Sequence, residues 1–256
     1  MAEEGKRNLL LTLRFIGTNY HGWQYQENAL SVQEVLIRAG EGVLGGPARL
    51  HGCSRTDSGV HALTYCANFH TDHPIPCQKL ILALNAHLPP DIAVTDCREV
   101  PEEFHARYST QEKEYRYRIL NSSIRDPFLE GFCYRYPHRL DEQLLEETFS
   151  CLLGTHDFRG FSSVGWETTD TVRTLTGLRV ERRGDVVDIF LKGDGFLYNM
   201  VRIIVGTMLR VSEGKLSAQD LLTLLETGDR SLAGPTAPAQ GLALYQVYYP
   251  EEALMR

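Results

Sequence analysis

Ser54-Arg55-Thr56-Asp57-Ser58-Gly59-Val60-His61-Ala62 sets an arginine, hydroxyls, a carboxylate and a glycine in one short run. Two segments that read as strands, Ala48 to Cys53 and Ala67 to Thr71, flank it, so the run is expected to be a loop. Loops carry reactive side chains because the scaffold beneath holds them in place. Arg55 stands two positions before the carboxylate, where a turn can aim both at one cleft, and Gly59 admits a left-handed backbone or the close approach of a ligand. An ordinary turn fits equally well, because Asp, Ser and Gly dominate turns and Asp57 would then only cap the residues after it.

Working outward, Leu9 to Phe15 reads as a strand and Gly17-Thr18-Asn19 as a turn. Ser31-Val32-Gln33-Glu34 has capping-box spacing, and Val32, Leu36, Ala39 and Val43 share one helical face until Gly45-Gly46-Pro47 ends it. Lys79 to Ala86 reads as a second helix, stopped by Leu88-Pro89-Pro90, and Ile92 to Val100 as a strand. A second half repeats the logic. It has strands at Lys113 to Leu120, Thr174 to Glu181 and Val186 to Lys192, and helices at Asp141 to Leu153 and about Tyr198 to Val211. A further helix is capped by Ser217 and runs to Glu226, the stretch Ala233 to Ala239 reads as a linker, and a last strand covers Gly241 to Tyr249. The economical expectation is an α+β protein of two halves, 1–108 and 109–256, each a sheet backed by helices.

Composition narrows the class. The chain has 256 residues with an ordinary hydrophobic fraction of 43%, enough for a sizeable core. No apolar run reaches the roughly 18 residues of a membrane span, and Met1 to Arg7 lacks a signal peptide's apolar stretch, so a cytoplasmic protein without a membrane partner is expected. The six cysteines never fall at two-residue spacing and the nine histidines form no H-E-x-x-H pair, so free thiols and no metal are expected. A net charge of −7, from 26 Lys and Arg against 33 Asp and Glu, does not advertise a phosphate-rich partner. Basic residues nevertheless gather at Arg107 to Arg125, Arg173 to Arg183 and Arg202 to Arg210, which allows either a positive face or evenly solvated charge.

The loop run resembles the G-R-T-D-A-G-V-H-A signature of TruA-type tRNA pseudouridine synthases. The family's opening pattern, D-G-T-x-Y-x-G-W-Q-x-Q, is similar to Ile16-Gly17-Thr18-Asn19-Tyr20-His21-Gly22-Trp23-Gln24-Tyr25-Gln26. Further matches keep the family's order over nearly the whole chain. They are Asn85-Ala86-His87-Leu88-Pro89, Phe104-His105-Ala106-Arg107, Lys113-Glu114-Tyr115-Arg116-Tyr117, Leu153 to Phe158, Phe196 through Met200-Val201-Arg202 to Gly206, and Gly241-Leu242. Ser54 and Ser58 replace a glycine and an alanine of the signature, small for small.

The resemblance implies the pseudouridine synthase fold, two similar RRM-like or ferredoxin-like halves with a central cleft between their sheets. It implies Asp57 as nucleophile, Arg202 as its ion-pair partner, Tyr115 stacking on the target uracil and Arg55 helping to flip the nucleotide. It implies RNA contacts from Phe104, His105, Ala106, Arg107 and Tyr108 and from Gly165, Trp166, Glu167, Thr168 and Thr169. The substrate it implies is uridine 38, 39 or 40 of the tRNA anticodon stem-loop, worked on by a homodimer without cofactor or metal.

Elementary chemistry agrees with these roles. Isomerisation breaks the N1–C1′ bond and rejoins the uracil through C5 with no net redox change, so one nucleophile suffices, attacking either C1′ or C6. A desolvated Asp57 needs a neighbouring cation to stay ionised, and Arg202, in the apolar run Met200 to Val205, needs a carboxylate unless it snorkels to the surface. Tyr115 and Tyr117 share a strand face, and either one or both also fit a core role. Two rival readings stay open: an RNA-binding module without chemistry, and a hydrolase pairing Asp57 with His61 or a second acid.

Overall fold

The computed structural model describes residues 6–46, 49–163 and 170–255. They form two compact units: one comprises the described residues up to 111 together with those from 244 on, the other the described residues between 112 and 243.

In the first unit β1 (Arg7–Phe15) is central, antiparallel to β3 (His61–Thr71) on one side and β4 (Ile92–Val100) on the other. Between β1 and β3 come α1 (Val32–Leu44) and the two-residue β2 (His51–Gly52), which pairs with β3, and α2 (Cys77–His87) links β3 to β4. Leu9, Leu10, Leu11, Leu13 and Phe15 of β1 are all buried, as a strand between two neighbours and beneath helices requires. Helix α1 turns Val32, Leu36 and Ala39 inward. Its start is half the expected capping box: Ser31 Oγ accepts from Glu34 N–H at 3.2 Å, while the Glu34 carboxylate turns to Arg38 one helical turn on. Gly45, at φ +76°, ends it.

The second unit contains β5 (Glu112–Leu120), β6 (Tyr134–Arg135), α3 (Glu142–Phe149), β7 (Gly154–Asp157), β8 (Val172–Arg183), β9 (Val186–Gly193), α4 (Met200–Ser212) and α5 (Ala218–Thr227). Its sheet runs β5-β9-β8-β7, with each of these neighbours antiparallel and β6 parallel to β5. Helix α4 is its core element. Ten of its thirteen residues are buried, so packing, not propensity, makes a helix of a stretch rich in Val and Ile. Ser217 and Asp220 form the complete capping box of α5. The chain returns to the first unit through β10 (Leu242–Tyr248), beside β3, and ends in the single turn α6 (Glu251–Leu254).

Two expectations are corrected. Strand β3 begins at His61, six residues before the expected Ala67, so the Asp57 loop feeds straight into it. The stretch Ala233 to Ala239 is no free linker: Gly234 N–H donates to Thr207 Oγ1 at 2.9 Å and Ala237 N–H to the Arg202 carbonyl at 3.1 Å, docking it on α4.

Candidate active site

Asp57 is half-buried on the loop between β2 and β3, and the backbone on both sides of it is fixed from below. Upstream, Cys53 N–H donates to the Cys66 carbonyl at 2.9 Å, and the Tyr65 hydroxyl donates to the Ser54 carbonyl. Downstream, Gly59 N–H donates to the Tyr20 carbonyl at 3.2 Å and the Ser58 hydroxyl to the same oxygen at 3.4 Å. Trp23 N–H donates to the Thr56 carbonyl at 3.3 Å, immediately before the carboxylate. Val60 N–H closes a turn onto the Asp57 carbonyl at 3.2 Å, with Gly59 at φ +78°. A turn and a reactive loop, posed as alternatives by the sequence, are therefore compatible: the Asp57 carbonyl takes part in a turn on a loop held from below.

The clamp is the segment Gly17 to Trp23. Tyr20 is anchored by a 2.6 Å hydrogen bond from its hydroxyl to Asp91 Oδ1; burial first and the Asp91 carboxylate second raise the phenol well above its ordinary range, so it stays a donor. The Trp23 ring stacks on Tyr65 at 4.1 Å. Three glycines make the approach possible. A Cβ on Gly17 would stand 1.9 Å from the Val60 carbonyl oxygen, one on Gly22 2.2 Å from that of Thr56, and one on Gly52 2.3 Å from the Tyr65 hydroxyl. His61 belongs to the same frame: it is buried and its Nδ1 accepts from Gly17 N–H at 2.9 Å, which assigns that ring nitrogen a structural task. Thr56 Oγ1 is buried without a hydrogen-bond partner among the described residues. Arg55 is exposed.

Residues 104–108 divide by side. Phe104 and Ala106 are buried: Phe104 packs on Tyr249 at 5.1 Å, Ala106 N–H donates to Asn68 Oδ1 at 2.8 Å, and the Ala106 carbonyl accepts from the Tyr249 hydroxyl at 2.7 Å. Arg107 and Tyr108 are exposed and His105 half-exposed, so three side chains of the five are available to a ligand.

In the second unit, Arg202 lies in the first turn of α4 and is half-buried. Its Nε donates to the Ala237 carbonyl at 2.7 Å and its Nη1 to Asn199 Oδ1 at 2.6 Å, a two-point hold that keeps the guanidinium from snorkelling. Asn199 is the one non-glycine residue among those described with positive φ, at +60°, and its amide also donates to Ser163 Oγ at 2.9 Å. Such a conformation persists only where the surroundings impose it. Asn199, Ser163 and Ala237 escaped the sequence reading; the only signal was an asparagine just before a helix.

Tyr115 and Tyr117 share a face of β5, and both are buried. Tyr117 is fully buried, its hydroxyl donates to the Pro238 carbonyl at 2.7 Å, and burial raises that phenol far above its ordinary range. The Tyr115 ring meets Phe196 edge-on at 5.0 Å. Thus Asp57, Arg55 and residues 104–108 belong to the first unit, Tyr115 and Arg202 to the second, and Gly165, Trp166, Glu167, Thr168 and Thr169 lie outside the described residues. Among the described residues, no group of three His, Cys, Asp or Glu is placed to hold a metal ion, and no helix is long and apolar enough to cross a membrane.

The chain is similar to known proteins over most of its length. The family model described as tRNA pseudouridine synthase matches residues 12–109 and 149–250. The protein named tRNA pseudouridine synthase A of Thermoanaerobacter sp. (strain X514) is 46% identical over 243 residues, 95% of this chain and 100% of that protein. Those of the same name from Acetivibrio thermocellus and Clostridium acetobutylicum are 46% and 44% identical, each over 95% of this chain and 100% of their own length. By matched length and by these relatives, the chain belongs to the tRNA pseudouridine synthase family, an α+β isomerase family with the pseudouridine synthase fold.

Proposed function

We propose that this isomerase of tRNA uridine works at positions 38, 39 and 40 of the anticodon stem-loop, with Asp57 as nucleophile on a flipped nucleotide. One observation carries the reading: a half-buried carboxylate rides on a loop whose backbone is clamped on both sides by Trp23, Tyr20 and Tyr65. An ordinary surface turn has no use for that rigidity, whereas a nucleophile loses rate steeply when displaced by an ångström.

Residues 1–108 supply Asp57 and Arg55, and residues 109–256 supply Tyr115 and Arg202. A uridine inside a stem is out of reach until its stack opens, at a cost of a few kcal/mol that backbone contacts recover. Arg55, exposed beside the nucleophile, enters the stack, and Tyr115 receives the uracil. Arg202, already fixed by Ala237 and Asn199, keeps the Asp57 carboxylate ionised. Asp57 then adds to C1′, expelling N1, or to C6, weakening the glycosidic bond; either route tethers a fragment while the uracil turns and C5 replaces N1. The C5 proton leaves and N1 gains one, so the reaction needs neither reductant nor cofactor. The structural task of His61 Nδ1 speaks against a hydrolase that uses this histidine as its acid or base.

His105, Arg107 and Tyr108 contact the RNA directly, while Phe104 and Ala106 shape the segment from within. The working form is a cytoplasmic homodimer, in which stem phosphates lie on one subunit and the target base enters the other. That arrangement reconciles a chain of net charge −7 with an anionic substrate. Mapping pseudouridine in tRNA from cells lacking the chain tests the reading. Loss at 38 to 40, restored by the wild-type copy and not by Asp57→Ala, is expected; unchanged modification there overturns it.

A further inference from the structure

Arg230 stands between α5 and β10 in the second unit, half-buried, and among the described residues no carboxylate bears on it. A charge drawn partly out of water is costly where no partner of opposite sign offsets it. Its guanidinium is turned to the strap that follows, residues 233–238. Nη1 donates to the Gly234 carbonyl at 2.9 Å, and Nη2 reaches Thr236 Oγ1 at 3.5 Å, so the planar fork takes hold of the chain on both sides of Pro235. Arg230 is itself set firmly. Gly228, at φ +66°, ends α5, and the Asp229 side chain then accepts from Ser231 N–H at 2.9 Å. Leu232 and Ala233 N–H close the turn onto the Asp229 and Arg230 carbonyls at 3.1 and 3.2 Å.

The strap has few means of its own to stay in place. It belongs to no strand or helix, and Pro235 and Pro238 carry no N–H. At one end Gly234 N–H donates to Thr207 Oγ1 at 2.9 Å, and at the other the Pro238 carbonyl accepts from the Tyr117 hydroxyl at 2.7 Å. Between them lies Ala237, bound to Arg202 in both directions: its N–H donates to the Arg202 carbonyl at 3.1 Å, and its carbonyl accepts from Arg202 Nε at 2.7 Å. Whatever fixes the strap from Gly234 to Ala237 therefore fixes the Arg202 guanidinium.

We propose that Arg230 is a positioning residue of the reaction: its fork holds Gly234 and Thr236 so that the Ala237 carbonyl keeps Arg202 in its working geometry. The inference rests on the reading that Arg202, so held, serves Asp57. It gives Arg230 no contact with the substrate. A phosphate contact, the other use for an arginine left half in solvent, and a purely structural tie are outcomes that the test separates from it.

The test is a double-mutant cycle on single-turnover tritium release from C5-labelled tRNA at saturating enzyme, with tRNA affinity by anisotropy and unfolding in urea measured beside it. Arg230→Gln, which removes the fork, is expected to slow the reaction about tenfold while tRNA affinity stays within about threefold of wild type. The acid limb of its rate profile is expected to move to higher pH, because a displaced cation lets Asp57 keep its proton longer. Arg230→Lys, which retains one donor for the Gly234 carbonyl, is expected to recover part of both effects, and it carries the cycle if Arg230→Gln fails to fold. On top of Arg202→Lys, the change at Arg230 is expected to slow the reaction by less than about twofold, because the geometry it protects is already lost.

A wild-type rate and pH profile in the Arg230 variants, whatever their stability, makes the contact structural and overturns the proposal. A loss confined to tRNA affinity makes Arg230 a phosphate contact, and a full loss repeated on top of Arg202→Lys makes it act apart from Arg202; either result overturns the proposal as well. Arg202→Lys at the wild-type rate overturns the reading of a held Arg202 and the proposal with it. A slow Arg202→Lys beside unaffected Arg230 variants overturns the proposal alone.

Discussion

The carbonyl oxygen of Thr56 lies 2.2 Å from the point a Cβ on Gly22 would occupy, with Gly22 itself at φ +82°. The backbone that carries Asp57 can sit where it does only because residue 22 has no side chain. Gly22→Ala is expected to meet both a strained backbone, costing about 1–2 kcal/mol, and a collision that pushes Thr56 and Asp57 away. Single-turnover isomerisation is expected to slow by about a hundredfold, while tRNA affinity, measured by anisotropy, stays near wild type. Full activity in this variant would remove the clamp from the mechanism.

Arg202 is held by two acceptors, the Ala237 carbonyl and Asn199 Oδ1, and a lysine cannot reach both from one nitrogen with this geometry. Arg202→Lys is expected to lower the rate at saturating tRNA by on the order of a hundredfold despite its retained charge. Asn199→Ala is expected to act in the same direction and more weakly, because it removes one acceptor of the guanidinium and puts alanine at φ +60°. Equal rates for Arg202→Lys and wild type would show that charge alone is used.

The two tyrosines of β5 separate stability from activity. Tyr117→Phe takes this donor from the half-buried Pro238 carbonyl and is expected to lower unfolding free energy by about 1 kcal/mol, read in urea, with little change in rate. Tyr115→Ala is expected to cost the stacking contribution of about 1–3 kcal/mol in transition-state stabilisation, read as kcat/KM, and Tyr115→Phe to restore most of it. Reversal of these two patterns would exchange the roles.

Gly206→Ala pits propensity against packing. Alanine favours a helix by about 1 kcal/mol over glycine, but its Cβ would stand 1.7 Å from the Pro235 carbonyl oxygen, and backbone cannot yield as a flexible side chain does. Packing is expected to win: stability falls, and the rate falls with it because the displaced segment carries the Ala237 acceptor of Arg202. A stabilised, fully active variant would show that residues 233–239 are as loose as their composition suggests.

What the sequence revealed follows from how local each signal is. Periodicity placed α1, α2, α5, β1, β4 and β5 to within a few residues, and Ser217 marked the start of α5, because these depend on residues close in the chain. The start of β3 is not legible because His61 and Ala62 belong to the loop run that Gly59 punctuates; the pairing of Tyr65 with Leu13 and of Ala62 with Phe15 is a contact across some fifty residues that no local pattern contains. Strands β6 and β7, two and four residues long, are too short to show alternation. The prolines of 233–239 look like linker until Gly206 and Thr207 are seen to receive them. Asp57 and Arg202 are candidates through two separate motif matches, whereas Asn199 and Ala237 hold Arg202 through one side-chain oxygen and one carbonyl and leave no such mark.

The most direct test of the central claim is tritium release from C5-labelled tRNA by Asp57→Asn, which keeps the size of the side chain and removes its charge. The account predicts tRNA binding within about threefold of wild type, since a neutral loop residue adds no phosphate contact, and no detectable release over many wild-type turnovers. Release at a rate comparable to wild type would contradict it, because a carboxamide at this position cannot serve as the nucleophile.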